Sequence, residues 1–259
     1  MRILFIADVV GTPGRKAVEE RLPSLRDELA VDFCIANGEN VADGVGITPK
    51  LADRLLGCGV DAITLGNHVW RRVEIAPYLS GSDRVARPAN LASGAPGKGL
   101  AVATARDGTR VAVINVMGSL FMDVPVSMWE VVDELVDEAR REAEVVWVDV
   151  HAEATSEKVA LAKWLDGKVT AVIGTHTHVQ TNDARVLAGG TAALSDAGMT
   201  GPHDSVIGVQ SDLAIKRMRT GLPVRFETAA GDVRIEGALV ECDGNGRASS
   251  CKTVRVKLG

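Results

Sequence analysis

The sequence predicts an α/β fold, and three observations carry that expectation. Short Val/Ile-rich runs recur through the first third of the chain and alternate with helix-length amphipathic segments, the pattern of parallel βα units. Further along, Asp107-Gly108, Gly189-Gly190 and the turn at 243–246 mark antiparallel hairpins. A second sheet, or an antiparallel extension of the first, is therefore implied. The 259 residues contain no obvious linker, so one domain over 1–259 is expected.

Residues 2–7 form a buried-type strand that runs into Asp8. Gly11-Thr12-Pro13-Gly14 then opens a helix, with Thr12 as its cap and Pro13 at its first position. A second strand, 32–36, leads into Asn37-Gly38-Glu39-Asn40. Thr48-Pro49 repeats the cap-then-proline start for a helix that stops at Gly57 and Gly59. The third strand, 61–65, leads into Gly66-Asn67-His68, and a short helix follows over 74–80. After a Gly/Pro-rich loop over 87–99 come strands 100–105 and 111–116.

Ser127 and Glu130 make a capping box for a charged helix reaching Glu144. A strand over 145–150 ends in His151, a helix closed by Gly167 follows, and the apolar run 171–174 stops in Thr175-His176-Thr177-His178. Strands at 186–187 and 191–194, a loop over 196–205, a helix near 211–219 and a β-rich tail complete the chain.

At 46% hydrophobic and 24% charged residues, the composition is that of a soluble globular protein. No apolar run reaches the roughly 18 residues of a membrane helix, and Arg2 leads into a strand instead of a signal peptide. A cytoplasmic protein with no membrane partner is expected. A formal net charge of −5 with scattered basic residues argues against bulk recruitment of nucleic acid, and 3% aromatics leave few platforms for single-stranded bases. Cys34, Cys58, Cys242 and Cys251 lack C-x-x-C spacing, so reduced thiols are expected. Cys242 and Cys251 flank a turn and are candidates to face each other across a hairpin.

Histidines and carboxylates collect at one kind of place. Asp8, Glu39 with Asn40, Asn67 with His68, His151, and His176 with His178 each stand just past a predicted strand; of the five histidines only His203 sits in a long loop. Parallel strands present their C-terminal ends at one edge, where ligands gather in α/β sheets. Taken singly, such residues are more often turn formers, and His-x-His more often a surface loop. Recurrence over five strands is what makes a site.

Both His176 and His178 can serve as ligands if the chain turns after Gly174 or if two ions share the pair. The donors are nitrogen and oxygen without a thiolate, which suits manganese, iron or zinc, and the set is too large for one ion. Two ions about 3.5–4 Å apart need a bridging carboxylate, and together they acidify water and clamp the oxygens of a displacement at phosphorus. Glu39 is the candidate bridge, Asn67 fits as a carbonyl ligand, and His68 can stay off the ions to face substrate.

Asp8, Gly66-Asn67-His68, His151 and Gly174-Thr175-His176-Thr177-His178 resemble the calcineurin-like metallophosphoesterase signature. The general pattern has Asp-x-His near the start and Gly-Asp in the second motif, where this chain has Val10 and Gly38-Glu39-Asn40. Those departures, with the runs 8–15, 37–40, 151–158, 174–181 and 196–205, are similar to the YmdB-type bacterial branch, whose members act as cyclic-nucleotide phosphodiesterases. Val126-Ser127-Met128 stands where relatives often carry Asp-Pro-Phe or Asn-Pro-Phe.

The resemblance implies a four-layer αββα sandwich of two mixed sheets and a pair of divalent or mixed-valence ions. Asp8, Glu39 and His178 would hold one ion, with Asn40 beside it; Glu39, Asn67, His151 and His176 would hold the other. His68 would be the catalytic histidine, protonating the departing ribose oxygen as a metal-bridging hydroxide attacks phosphorus of a 2′,3′-cyclic nucleotide; 3′,5′-cyclic nucleotides are further candidates. It also implies a homo-oligomer, and leaves an RNA-related partner open. The rival readings are a phosphomonoesterase or nucleotidase, since fold does not fix substrate, and a regulatory protein that binds nucleotide or RNA with little turnover.

Overall fold

Side chains of a strand alternate between its two faces, and in this chain the alternation sorts the apolar residues into three separate layers. The computed structural model describes residues 1–258. In chain order the first part holds β1 (Arg2–Ile6), α1 (Gly11–Glu28), β2 (Phe33–Asn37), α2 (Pro49–Gly57), β3 (Ala62–Thr64), α3 (Ile75–Gly81) and β4 (Val85–Ala86). The middle holds β5 (Leu100–Thr104), β6 (Arg110–Met117), α4 (Met128–Glu142), β7 (Val145–His151), α5 (Thr155–Trp164) and β8 (Ala171–Thr175). The last part holds β9 (Arg185–Val186), β10 (Ala192–Leu194), β11 (Gly201–Pro202), α6 (Ser211–Thr220), β12 (Val233–Cys242) and β13 (Ala248–Lys257).

Strands β1 to β4 pair in parallel, and β12 joins β1 antiparallel with β13 and β11 beside it. The second sheet runs β5-β6-β7-β8-β10-β9, parallel from β6 through β10 and antiparallel at both edges. Both sheets are mixed.

Ile3, Phe5, Phe33 and Ile35 from the first sheet share one core with Val111, Val113, Trp147 and Ile173 from the second. Their odd-numbered positions face inward, and the Phe5 and Trp147 rings stack at 5.6 Å between centroids. The even-numbered Leu4, Ile6, Cys34 and Ala36 point the other way, against Val18, Leu22 and Leu55 of α1 and α2. On the far side Ile114, Val146, Val148 and Val172 pack on Val132, Val136 and Leu161 of α4 and α5. Helices therefore lie outside two facing sheets, the expected αββα sandwich.

Thr48 caps α2 by accepting from the Leu51 amide at 3.3 Å, and Ser127 with Glu130 forms the capping box of α4. Thr12, however, does not cap α1, which begins after Val10 without a side-chain cap. Tertiary backbone bonds fix that start instead: Val9 donates to Asn37, Val10 to Thr200 and Gly11 to Asn40. Cys242 does not face Cys251, because the hairpin register sets Cys251 opposite Val240 and Cys242 opposite Ala248; all four cysteines are free. The two-residue β4 adds a strand where the sequence suggested only a loop entry. Among the described residues, no helix is long and apolar enough to cross a membrane.

Trp147 is fully buried at the centre of the inter-sheet core. Trp147→Ala should cost about 3–5 kcal/mol, read as a lowered urea midpoint at unchanged slope; a midpoint within error of the parent would show that this core does not hold the sheets together.

Candidate metal centre

Where the parallel strands end, the inward-facing positions change from apolar to polar. Asn37 continues the row of Phe33 and Ile35, Asn115 that of Val111 and Val113, and Asp149 with His151 that of Val145 and Trp147. Thr175 continues Ala171 and Ile173. All five polar residues are fully buried, so the seam between the sheets turns from a hydrocarbon core into a hydrogen-bonded floor. Just past that floor, the loops deliver the donors read from the sequence.

One donor group converges on His151 Nε2, with Asn67 Oδ1 at 2.9 Å, His176 Nδ1 at 3.1 Å and Glu39 Oε2 at 3.2 Å. Asp8, Glu39 and His178 form a second group, with ligating atoms within 4.8 Å of one another. Glu39 belongs to both. Gly66 makes the approach feasible, since a Cβ there would collide with the Glu39 carboxylate and the His151 ring.

The outer nitrogens of the rings are fixed by partners. His178 Nδ1 lies 2.9 Å from the Ile207 carbonyl, leaving Nε2 toward Asp8. His176 turns Nε2 to Glu153 at 3.1 Å. His68 binds Asn40 Oδ1 through Nδ1 at 2.7 Å. Asn40 in turn presents its amide Nδ2 to Glu39 Oε1 at 2.8 Å and to His178 at 3.1 Å. As oriented, Asn40 is a donor to the group, and ligation through its oxygen requires the amide to turn over.

The chain does turn after Gly174: His176 and His178 have φ of 100° and 63°, both left-handed. Such backbone costs about 1–3 kcal/mol per residue and needs bracing. Asp196 supplies it, accepting from the Thr177 amide at 3.2 Å and hydroxyl at 2.8 Å, while buried Lys158 neutralises it at 2.7 Å. Glu157 braces the neighbouring loop by accepting from the amides of Ser119 and Leu120.

Burial works against charge on His151, yet the Glu39 carboxylate outweighs it and pushes the imidazole up to about 9. Burial likewise opposes ionisation of Glu39, but His151 and His68 hold it well below the carboxylate range. Asp8 is driven up to about 6 by burial, partly offset by His178 and His151. Burial, then the neighbouring His151, drives His176 down to about 3 and keeps it neutral.

These groups suit cations. Acceptors crowd together with few protons among them, and Asp8 Oδ1 is buried with no hydrogen-bond partner among the described residues. Nitrogen and oxygen donors bound at about 2.1 Å put neighbouring ligand atoms about 3 Å apart, the spacing seen around His151.

Both groups open on a cavity of about 500 Å³ lined by Glu39, Asn40, His68, Glu153, His176 and His178. Val10, Val45, Ile207, Val209 and Phe226 also line it, with the Arg217 guanidinium 5.1 Å from the Phe226 ring. Neither Phe226 nor Arg217 stood out in the sequence, because Phe226 is an isolated aromatic outside any expected element and Arg217 is one of several basic residues at the end of the helix near 211–219.

His203 packs against Glu236 at 3.4 Å, away from this cavity. Arg15 pairs with Glu19, Arg72 with Asp43, and Arg87 donates to the carbonyls of Pro88, Ala95 and Pro96. The sequence also missed Asp149, whose signal was a lone acid inside an apolar strand.

A family model described as YmdB-like protein matches residues 4–254. Over 243 residues, 94% of this chain and 92% of the relative, the sequence is 46% identical to the 2′,3′-cyclic-nucleotide 2′-phosphodiesterase of Bacillus subtilis (strain 168). The crystal structure of a hypothetical protein from Thermus thermophilus superposes with a TM-score of 0.92 at 42% identity, covering 99% of both chains. That of a novel phosphatase from Mycoplasma pneumoniae gives 0.90 at 31% identity, covering 99% of this chain and 93% of the other. With matches running almost end to end in sequence and in fold, the chain belongs to the YmdB-like family and has the calcineurin-like metallophosphoesterase fold.

Proposed function

We propose that this protein is a metal-dependent phosphodiesterase acting on cyclic nucleotides, 2′,3′-cyclic first and 3′,5′-cyclic as further candidates. One observation carries the reading: the buried carboxylate of Glu39 is shared by two converging donor groups. The name of the Bacillus subtilis relative supports the substrate class.

In this reading Asp8, Glu39 and His178 hold one ion with Asn40 beside it, and Glu39, Asn67, His151 and His176 hold the other. Iron or manganese is the first choice and zinc the third. When bound, such ions clamp phosphate oxygens and acidify water. The side chains do the remaining work.

His68 is tied to Asn40 through Nδ1, so its Nε2 is the nitrogen left to meet substrate. A proton held there can pass to the departing ribose oxygen, an effect worth on the order of 10²–10⁴ in rate. Glu153 fixes the ring of His176 from the solvent side. The cavity wall offers the Phe226 ring and the Arg217 guanidinium to a nucleobase, whose stacking is worth about 1–3 kcal/mol.

His68→Ala should keep its metal and lose about 10²–10⁴ in kcat, whereas Glu39→Ala should lose metal and turnover together. Elemental analysis beside a 2′,3′-cyclic AMP assay reads both, and a His68→Ala enzyme of parental rate ends the assigned role. Linear mononucleotides turned over faster than cyclic ones would instead make this a phosphomonoesterase.

Phe226→Ala should raise KM for 2′,3′-cyclic AMP and cut its preference over ribose 2′,3′-cyclic phosphate by about tenfold; an unchanged ratio places the base elsewhere.

A cation entering the second group must displace the proton that His151 carries below about 9. Apparent Mn²⁺ affinity should therefore rise by up to about tenfold per pH unit from pH 7 toward 9, with a further loss below about 6 as Asp8 protonates. Competition with a chelator at each pH measures this, and a flat profile contradicts it.

A further inference from the structure

Beneath the donor groups lies a carboxylate that takes protons from both sheets. Asp149 on β7 is fully buried. It accepts from Asn37 Nδ2 at 3.0 Å and from the Thr64 hydroxyl on the first sheet, and from Thr175 Oγ1 at 2.7 Å on the second. Thr175 Oγ1 lies in turn 2.9 Å from His151 Nδ1.

Counting protons gives this chain a direction. A carboxylate only accepts, and a threonine hydroxyl has one proton to give. Once that proton goes to Asp149, Thr175 can only accept from His151, so His151 Nδ1 must carry a hydrogen. Its Nε2 is then the nitrogen aimed at Asn67, His176 and Glu39, the one that would meet a cation. The same Asp149 also reaches Glu39: Asn37, held through Nδ2, accepts from the Glu39 amide through Oδ1 at 3.1 Å.

We infer that Asp149 and Thr175 are positioning residues that fix the tautomer and ring orientation of His151, and so prepare the second donor group for a cation. Because Asn37 and Thr64 come from one sheet and Thr175 from the other, one buried carboxylate sets the relative placement of ligands that arrive from both. The inference rests on the cation site of the proposed function and does not depend on the substrate.

Threonine and valine have nearly the same shape, so Thr175→Val removes the relay while keeping the packing, and Thr175→Ser keeps the hydroxyl. Zn²⁺, which is diamagnetic, serves as the probe ion, with binding followed by chelator competition and the His151 ring by ¹H–¹⁵N correlation. In the wild-type Zn²⁺-loaded protein the His151 proton should sit on Nδ1. Thr175→Val should weaken one of the two Zn²⁺ sites by about 10- to 100-fold, and Thr175→Ser should restore most of the loss. Asp149→Asn, able to accept from fewer donors, should weaken the same site.

Wild-type affinity in folded Thr175→Val, or equal weakening in the serine variant, would overturn the inference. Should Thr175→Val fail to fold, the wild-type ring spectrum decides, since a bare Nδ1 there refutes the relay. If the wild type itself binds no Zn²⁺ stoichiometrically, it is the proposed function that fails.

Discussion

Charge buried in the seam between two sheets governs this molecule. Asp8, Glu39, Asp149 and His151 are at most 1% exposed, at the edge of a core that elsewhere is hydrocarbon. Ionised groups are tolerated at such depth only when paired and hydrogen-bonded. Here Asp149 is satisfied by donors from three strands and Glu39 by His151, Asn40 and the His68 amide, whereas Asp8 keeps one oxygen without a partner among the described residues. The stacked core of Phe5 and Trp147 below makes that arrangement possible, because it fixes how the sheets meet.

The long run from His151 to Lys158 gains a physical meaning from this geometry. His151 enters a donor group, Glu153 holds the ring of His176, Glu157 ties down the loop at Ser119, and Lys158 neutralises the Asp196 that braces Thr177. One strand end and one helical turn therefore support both the group itself and the left-handed backbone of the His-Thr-His segment. Removing Lys158 alone would leave Asp196 a buried ion without its partner, at a cost of about 3–5 kcal/mol.

The cavity joins two chemistries. Its lining combines nitrogen and oxygen donors with aliphatic and aromatic side chains. A molecule that carries both a phosphate and a planar, weakly polar group matches that mixed lining better than a bare phosphate ester does. The proposed preference for nucleotides rests on this mixed lining as well as on the relative's name.

Much of this was legible in the residues themselves. Local rules placed the Thr48 cap, the Ser127 capping box, the Asp107-Gly108 hairpin and the strand ends that carry Asp8, Glu39, Asn67, His68, His151, His176 and His178. Those signals are local because capping, turn chemistry and alternation act within a few residues. Thr12 misled because distant backbone partners, Asn37, Asn40 and Thr200, take the place of its hydroxyl. Tertiary structure alone decided which donors share Glu39, which nitrogen of each ring faces inward, and that Asp149 reaches both sheets. Those are contacts between residues as far apart as Asn37 and Asp149, and their partners exist only once the sheets have closed on each other.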